Sequence, residues 1–182
     1  KAYYTMDSTS LGASASDLSW NTSDSSNFSF SATDNANQKA TTGGSASFSN
    51  SRCISTKGHT ASASTSGEFS YNLSVESGSV HDWMVGLTST PTASVSSYIN
   101  EIWVVGHYQS AVNGNNKVYV GTTQGSNYAT NTATTKYTLK ISGLDVILQY
   151  NGEDKHTFSN ALTSGSTYYL IGSGSGGAGN GF

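Results

Sequence analysis

The chain has 182 residues and a formal net charge of −3, and only 10% of its residues are charged, where a typical soluble domain carries about a quarter. There is no basic run, which argues against nucleic-acid binding by phosphate neutralisation, and no apolar run approaches the roughly 18 residues that cross a bilayer. Aromatic residues make up 11% of the chain, so this Ser-, Thr- and Asn-rich sequence has a core to bury and reads as one folded domain.

A single cysteine, Cys53, excludes an internal disulfide framework and reads as a small buried hydrophobe. A disulfide-free extracellular chain suits a bacterial or viral surface protein better than an animal secreted one. The chain starts at Lys1 with no signal-peptide pattern. A processed product or a piece of a longer protein is expected.

Residues 1–44 are polar and weakly periodic. They predict an irregular N-terminal edge with two short strands, among them a strand in KAYYTM or brief alternations at Leu18–Trp20 and Phe28–Phe30. Trp20 reads as a core anchor. Residues 45–172 predict the core of the domain. Ala46, Phe48 and Cys53-Ile54 mark its first segment. Gly67–Val75 is a strand with Phe69, Tyr71 and Leu73 or Val75 on one face. Val80–Thr88 follows, with Trp83, Val85 and Leu87 on one face, and Gly86 inside it indicates a bulge or a close backbone approach. Tyr98–Gln109 reads as one long strand. Asn113-Gly114 turns the chain into Lys117–Gly121, and Gln124–Thr135 reads as a polar loop.

The clearest stretch is Lys136–Phe158. Tyr137, Leu139 and Ile141 alternate with polar residues, Ser142-Gly143 turns, Val146, Leu148 and Tyr150 alternate again, and Asn151-Gly152 closes the next hairpin. Thr167–Ile171 is the last clear strand. Residues 173–182 read as a Gly-rich tail or a truncated final element. No helix of useful length appears, and short strands between turn signals indicate a sandwich or barrel.

Taken together, EFSYNLSV (68–75), HDWMVGLT (81–88), YINEIWVVGHYQ (98–109) with KVYVG (117–121), YTLKISGLDVILQYNGEDKHTF (137–158) and YYLIG (168–172) resemble the concanavalin A-like lectin/glucanase jelly roll. In particular they are similar to the lectin-like domains of phage tail fibres and large microbial surface proteins. The likeness spans about Gly67 to Gly172 and is one of strands and turns. It implies an all-β, two-sheet antiparallel jelly-roll sandwich, with a final strand beyond Gly172.

The family includes glycosidases, which need paired carboxyls about 5 Å apart or somewhat more. Glu101 is the one faint echo, and two and four residues on stand Trp103 and Val105, not acids. Asp145, Glu153 and Asp154 read as solvated turn carboxylates. His59, His81, His107 and His156 lack metal-site spacing; His81-Asp82 forms a site only if another loop delivers partners. No G-x-S-x-G elbow is present. The GxGxxG at Gly172, Gly174 and Gly177 has no βαβ unit around it and reads as tail flexibility. Three N-x-S acceptors, at Asn21, Asn27 and Asn72, are expected by chance in this composition. No cofactor is expected, although an oxygen-lined Ca²⁺ site is compatible with the composition.

Recognition remains. Sugars present C–H faces and hydroxyls, which aromatic rings, amides and hydroxyls complement. Candidate ligand residues are Trp103, Tyr108, Asn113, Asn115, Asn116, Tyr128, Asn151 and Asp154, each of which also has a plain turn or core reading. The expected function is non-catalytic adhesion to a cell-surface glycan or receptor, without membrane insertion, at a virion surface or extracellularly. A homo-oligomer, a trimer among the options, is expected. The alternative is a structural virion module acting through self-assembly, with a glycoside hydrolase ranked last.

Overall fold

The computed structural model describes residues 21, 28–31, 39–42, 47–48, 51–73, 82–110, 116–128 and 135–175. Two short strands, β1 (Phe28–Ser31) and β2 (Lys39–Thr42), pair with each other. KAYYTM, Trp20 and Asn27 lie outside the described residues.

Ten further strands form two antiparallel sheets. The four-stranded sheet contains β4 (Ser66–Leu73), β9 (Thr135–Ser142), β10 (Asp145–Tyr150) and β11 (Glu153–Phe158), in the order β11-β10-β9-β4. The six-stranded sheet contains β3 (Cys53–Thr60), β5 (Asp82–Thr88), β6 (Val105–Ser110), β7 (Lys117–Val120), β8 (Thr123–Asn127) and β12 (Thr167–Ser175), in the order β3-β12-β5-β6-β7-β8.

Period-two alternation decides the inner faces. Phe69, Tyr71 and Leu73 of β4, Tyr137, Leu139 and Ile141 of β9, and Val146 and Leu148 of β10 are buried against Cys53, Trp83, Val85, Leu87, Val105, Val118, Tyr168 and Leu170 of the facing sheet. The two meander turns form as their residues demand. Gly143 alone takes positive φ (65°) between β9 and β10, while Asn151 (50°) and Gly152 (83°) both take it between β10 and β11. Cys53 is fully buried, and burial pushes its thiol well above the ordinary value.

Three segments differ from the sequence-based expectation. Within Tyr98–Gln109 only Val105–Ser110 is strand; Ile99–Glu101 is a short 3₁₀ turn. The apolar side chains of this segment pack onto the outer face of the six-stranded sheet instead of entering a ladder. Ile99 and Trp103 join Ile54, Met84 and Ile171 there in a second apolar cluster. The expected loop Gln124–Thr135 begins with β8, which lacks apolar residues and owes its strand conformation to pairing with β7. Ser173–Ser175, past the last strand residue expected, continue β12 against Met84, Trp83 and Asp82 of β5.

The second cluster explains why β5 is buried on both faces from Trp83 to Thr88. It also explains Gly86. Gly86 and Gly106 are register partners on β5 and β6, and the Trp103 ring lies across both, so that a Cβ at Gly106 would stand 2.5 Å from its Cε3. The expected close approach at Gly86 is therefore an indole lying on backbone.

Candidate functional site

A hollow of about 460 Å³ opens on the outer face of the six-stranded sheet, beside the second apolar cluster. Strand alternation supplies its floor. Asp82 and Met84 of β5, Tyr108 and Ser110 of β6, and Lys117 and Tyr119 of β7 all point outward while their neighbours fill the core. Gln124 of β8 and Phe48 add to the rim, and the segment from Thr88 to Val104 contributes Tyr98 and Asn100.

That segment is fastened at several points. The Glu101 carboxylate accepts the backbone N–H groups of Ser96 (2.7 Å), Ser97 (2.8 Å) and Tyr98 (3.2 Å), and the Ser96 hydroxyl as well. This is half of a capping box, with the N3 carboxylate reaching back to the N-cap amide. Led by the Ser96 N–H, these donors hold Glu101 down at about 2, because they favour its charged form. Arg52 donates to the Ala93 carbonyl (2.7 Å), the Thr88 hydroxyl to Ile102 O (2.5 Å), and Trp103 Nε1 to Gly121 O (2.8 Å). Tyr98 is thereby presented 52% exposed at the rim, its ring 5.8 Å from that of Phe48.

Within the hollow the Tyr108 hydroxyl donates to Asp82 Oδ2 (2.7 Å), and Asp82 Oδ1 is buried without a partner. Burial first, and then this carboxylate, raise the Tyr108 phenol well above its ordinary range. The site thus combines tyrosine faces with carboxylate, ammonium, amide and hydroxyl groups.

Of the residues expected to bind ligand, Tyr108 lines the hollow. Trp103 does not present a platform: it is 4% exposed, and its indole is spent on Gly86, Gly106 and Gly121 O. Asn116 is fully buried. Tyr128 packs on the core and bonds His107 Nδ1 at 2.6 Å. Asn151 occupies a turn, its side chain accepting the Lys136 N–H, and the exposed Asp154 accepts from Gln149. These two lie on the β10–β11 hairpin of the other sheet. Asn113 and Asn115 lie outside the described residues, as does His81. Residues that the sequence reading missed here are Tyr98, Asn100, Lys117, Tyr119 and Gln124. Their signal was the outward register of β7 opposite β6, where Lys117 pairs with Tyr108 and Tyr119 with Gly106.

The other carboxylates singled out in the sequence have structural partners: Asp145 accepts the Asn160 N–H (2.7 Å) and Glu153 pairs with Lys155 (2.7 Å). Among the described residues, no three His, Cys, Asp or Glu side chains gather to hold a metal ion. His107 sits in the core, between the Tyr71 hydroxyl at Nε2 (2.5 Å) and Tyr128 at Nδ1, with the Tyr137 ring stacked 4.8 Å away. Desolvation lowers it to about 3, so the ring is neutral and gives one donor and one acceptor to its two tyrosines.

No family model and no curated protein matches the sequence. Solved structures do match. The SPRY domain of human HERC1 superposes with a TM-score of 0.53 at 13% identity, over 90% of this chain and 95% of that one. The potassium-bound carbohydrate recognition domain of Emp46p gives 0.52 at 7% identity, over 85% and 82%. The carbohydrate binding module CBM66 from Bacillus subtilis gives 0.50 at 10% identity, over 92% and 98%. At these identities the likeness is one of fold: the chain is a concanavalin A-like, two-sheet antiparallel jelly-roll sandwich.

Proposed function

We propose that the chain is a non-catalytic glycan-binding domain and that the outer-face hollow is its site. The observation that carries this reading is the combination, in one concavity, of three tyrosines with amide, hydroxyl and charged groups. Such a lining complements the C–H faces and vicinal hydroxyls of sugars. Two chains of the same fold, the Emp46p domain and CBM66, are a carbohydrate recognition domain and a carbohydrate binding module, which supports it. The clamping of Glu101 on the Ser96–Tyr98 backbone, in place of a second acid beside it, favours recognition over hydrolysis. We place the domain on a virion or cell surface, in a phage tail fibre or comparable adhesin, on the family resemblance and the disulfide-free composition.

The test is a glycan array, followed by titration of the strongest responder. Tyr98→Ala is expected to weaken binding about tenfold through loss of an exposed ring face, with an unchanged melting temperature. A flat array, or equal affinity in the variant, would remove this assignment of the site.

A second reading, a structural module working through self-assembly, is favoured by β8. This sheet-edge strand is uncharged and exposed along all five residues. The mass of the domain in solution separates the two.

A further inference from the structure

We propose that the sugar taken by the outer-face hollow is anionic, and that Lys117 holds its carboxylate or sulfate. This rests on the reading of that hollow as a glycan site. Lys117 is the cation among the residues lining the hollow, whereas Arg52 donates to Ala93 O and Lys155 pairs with Glu153. Lys117 is half-buried in the wall of the hollow, with no hydrogen-bond or ion-pair partner among the described residues. An anion that reaches the Lys117 ammonium forms a charge-assisted hydrogen bond.

The one carboxylate in the hollow does not fill this role. Asp82 lies on β5 opposite Ser110, and Lys117 lies on β7 opposite Tyr108. Two strand spacings, about 10 Å, separate those backbones. Asp82 Oδ2 is engaged by the Tyr108 hydroxyl and its Oδ1 is buried. Tyr108 therefore stands between the two charges. An acidic sugar lying across it puts its anion on Lys117, on the β7 side of Tyr108, with Asp82 on the β5 side. Asn100 and the Gln124 amide N–H groups remain for hydroxyl groups, Gln124 Oε1 accepting from the Tyr119 hydroxyl, and Tyr98 and Tyr119 remain for the ring face.

The experiment titrates the 182-residue chain with an oligouronate, a sulfated oligosaccharide and an uncharged oligosaccharide of the same length, at low and high salt. One of the anionic ligands is expected to bind about tenfold tighter than the uncharged one, which is the worth of one charge-assisted hydrogen bond, and salt should narrow the gap. Which of the two binds identifies carboxylate or sulfate as the source. Lys117→Met should abolish the preference, bringing the anionic ligands to the affinity of the uncharged one in the same variant, and Lys117→Arg should keep it. Thermal unfolding of both variants checks that they fold. Equal affinity for all three ligands, or a preference that survives Lys117→Met, overturns the anionic assignment and leaves glycan binding standing. Absence of binding to these and to every glycan on the array overturns both.

Discussion

His107 shows how a single residue ties the core to pH. Its folded value is near 3 against about 6.5 in an unfolded chain, because the interior penalises the charged ring. His59 and His156 are lowered for the same reason. A depressed histidine value means that the unfolded chain takes up the proton first. Stability is therefore fully present above about pH 6.5 and is lost as the pH falls toward 3. Between pH 6.5 and 4.5 the slope should approach about 1.4 kcal/mol per pH unit for His107 alone; below 4.5 the lowered carboxyls of Glu101 and Glu153 add to it in the same direction. Urea unfolding at several pH values reads this slope, and a flat profile from 6.5 to 4.5 would show that His107 is not buried as a neutral ring. Nothing local in the sequence marks His107 as a core residue. It stands one residue from Tyr108, which faces outward, and only the alternation of β6 separates the two. The burial of Trp103 is hidden for a related reason: the glycine pair beneath its ring, Gly86 and Gly106, comes together only through the β5–β6 register.

Among the elements, the strands with strict alternation were legible because each had one buried face and turn residues at its ends. β9 and β10, with Gly143, Asn151 and Gly152 at their turns, are the clearest case. The segment from Tyr98 to Trp103 was not legible, because Ile99, Ile102 and Trp103 satisfy a strand pattern and a surface-packing pattern equally well. What decides between them is Glu101, whose carboxylate gathers amides three to five residues upstream. Glu101→Ala should therefore free this wall of the hollow and leave the sandwich intact. Amide exchange at Ser96, Ser97 and Tyr98 should rise about tenfold or more, as expected when local protection is lost without global unfolding, while the amides of β9 and β10 keep their protection. Glycan affinity should fall in parallel, because Tyr98 and Asn100 ride on the same segment. Unchanged exchange at Ser96–Tyr98 would show that Arg52, Thr88 and Trp103 hold the segment without Glu101.

For the molecule as a whole, the hollow could not be read in advance because its lining comes from four strands, the segment over them and Phe48. Sequence patterns report which face a residue occupies and not which faces converge. The same limit applies to assembly, where the described surface does offer a physical argument. A stable interface buries more than about 1,000 Å² around an apolar centre. Among the described residues, the exposed large hydrophobics are Tyr98 and Val120, and Tyr98 borders the hollow. The β8 edge is only five residues long, and a register shift in its ladder to β7, between Lys117 and Tyr119, bends it away from a flat template. Light scattering at micromolar concentration tests the homo-oligomer expected from the sequence: a monomer would leave the hollow open on each copy, with glycan binding independent of protein concentration, and a stable trimer would bring the structural reading forward. Breaking the β8 edge with Ser126→Pro then distinguishes its two forms: an assembly that dissociates is built on strand addition at β8, and one that persists is held together elsewhere on the chain.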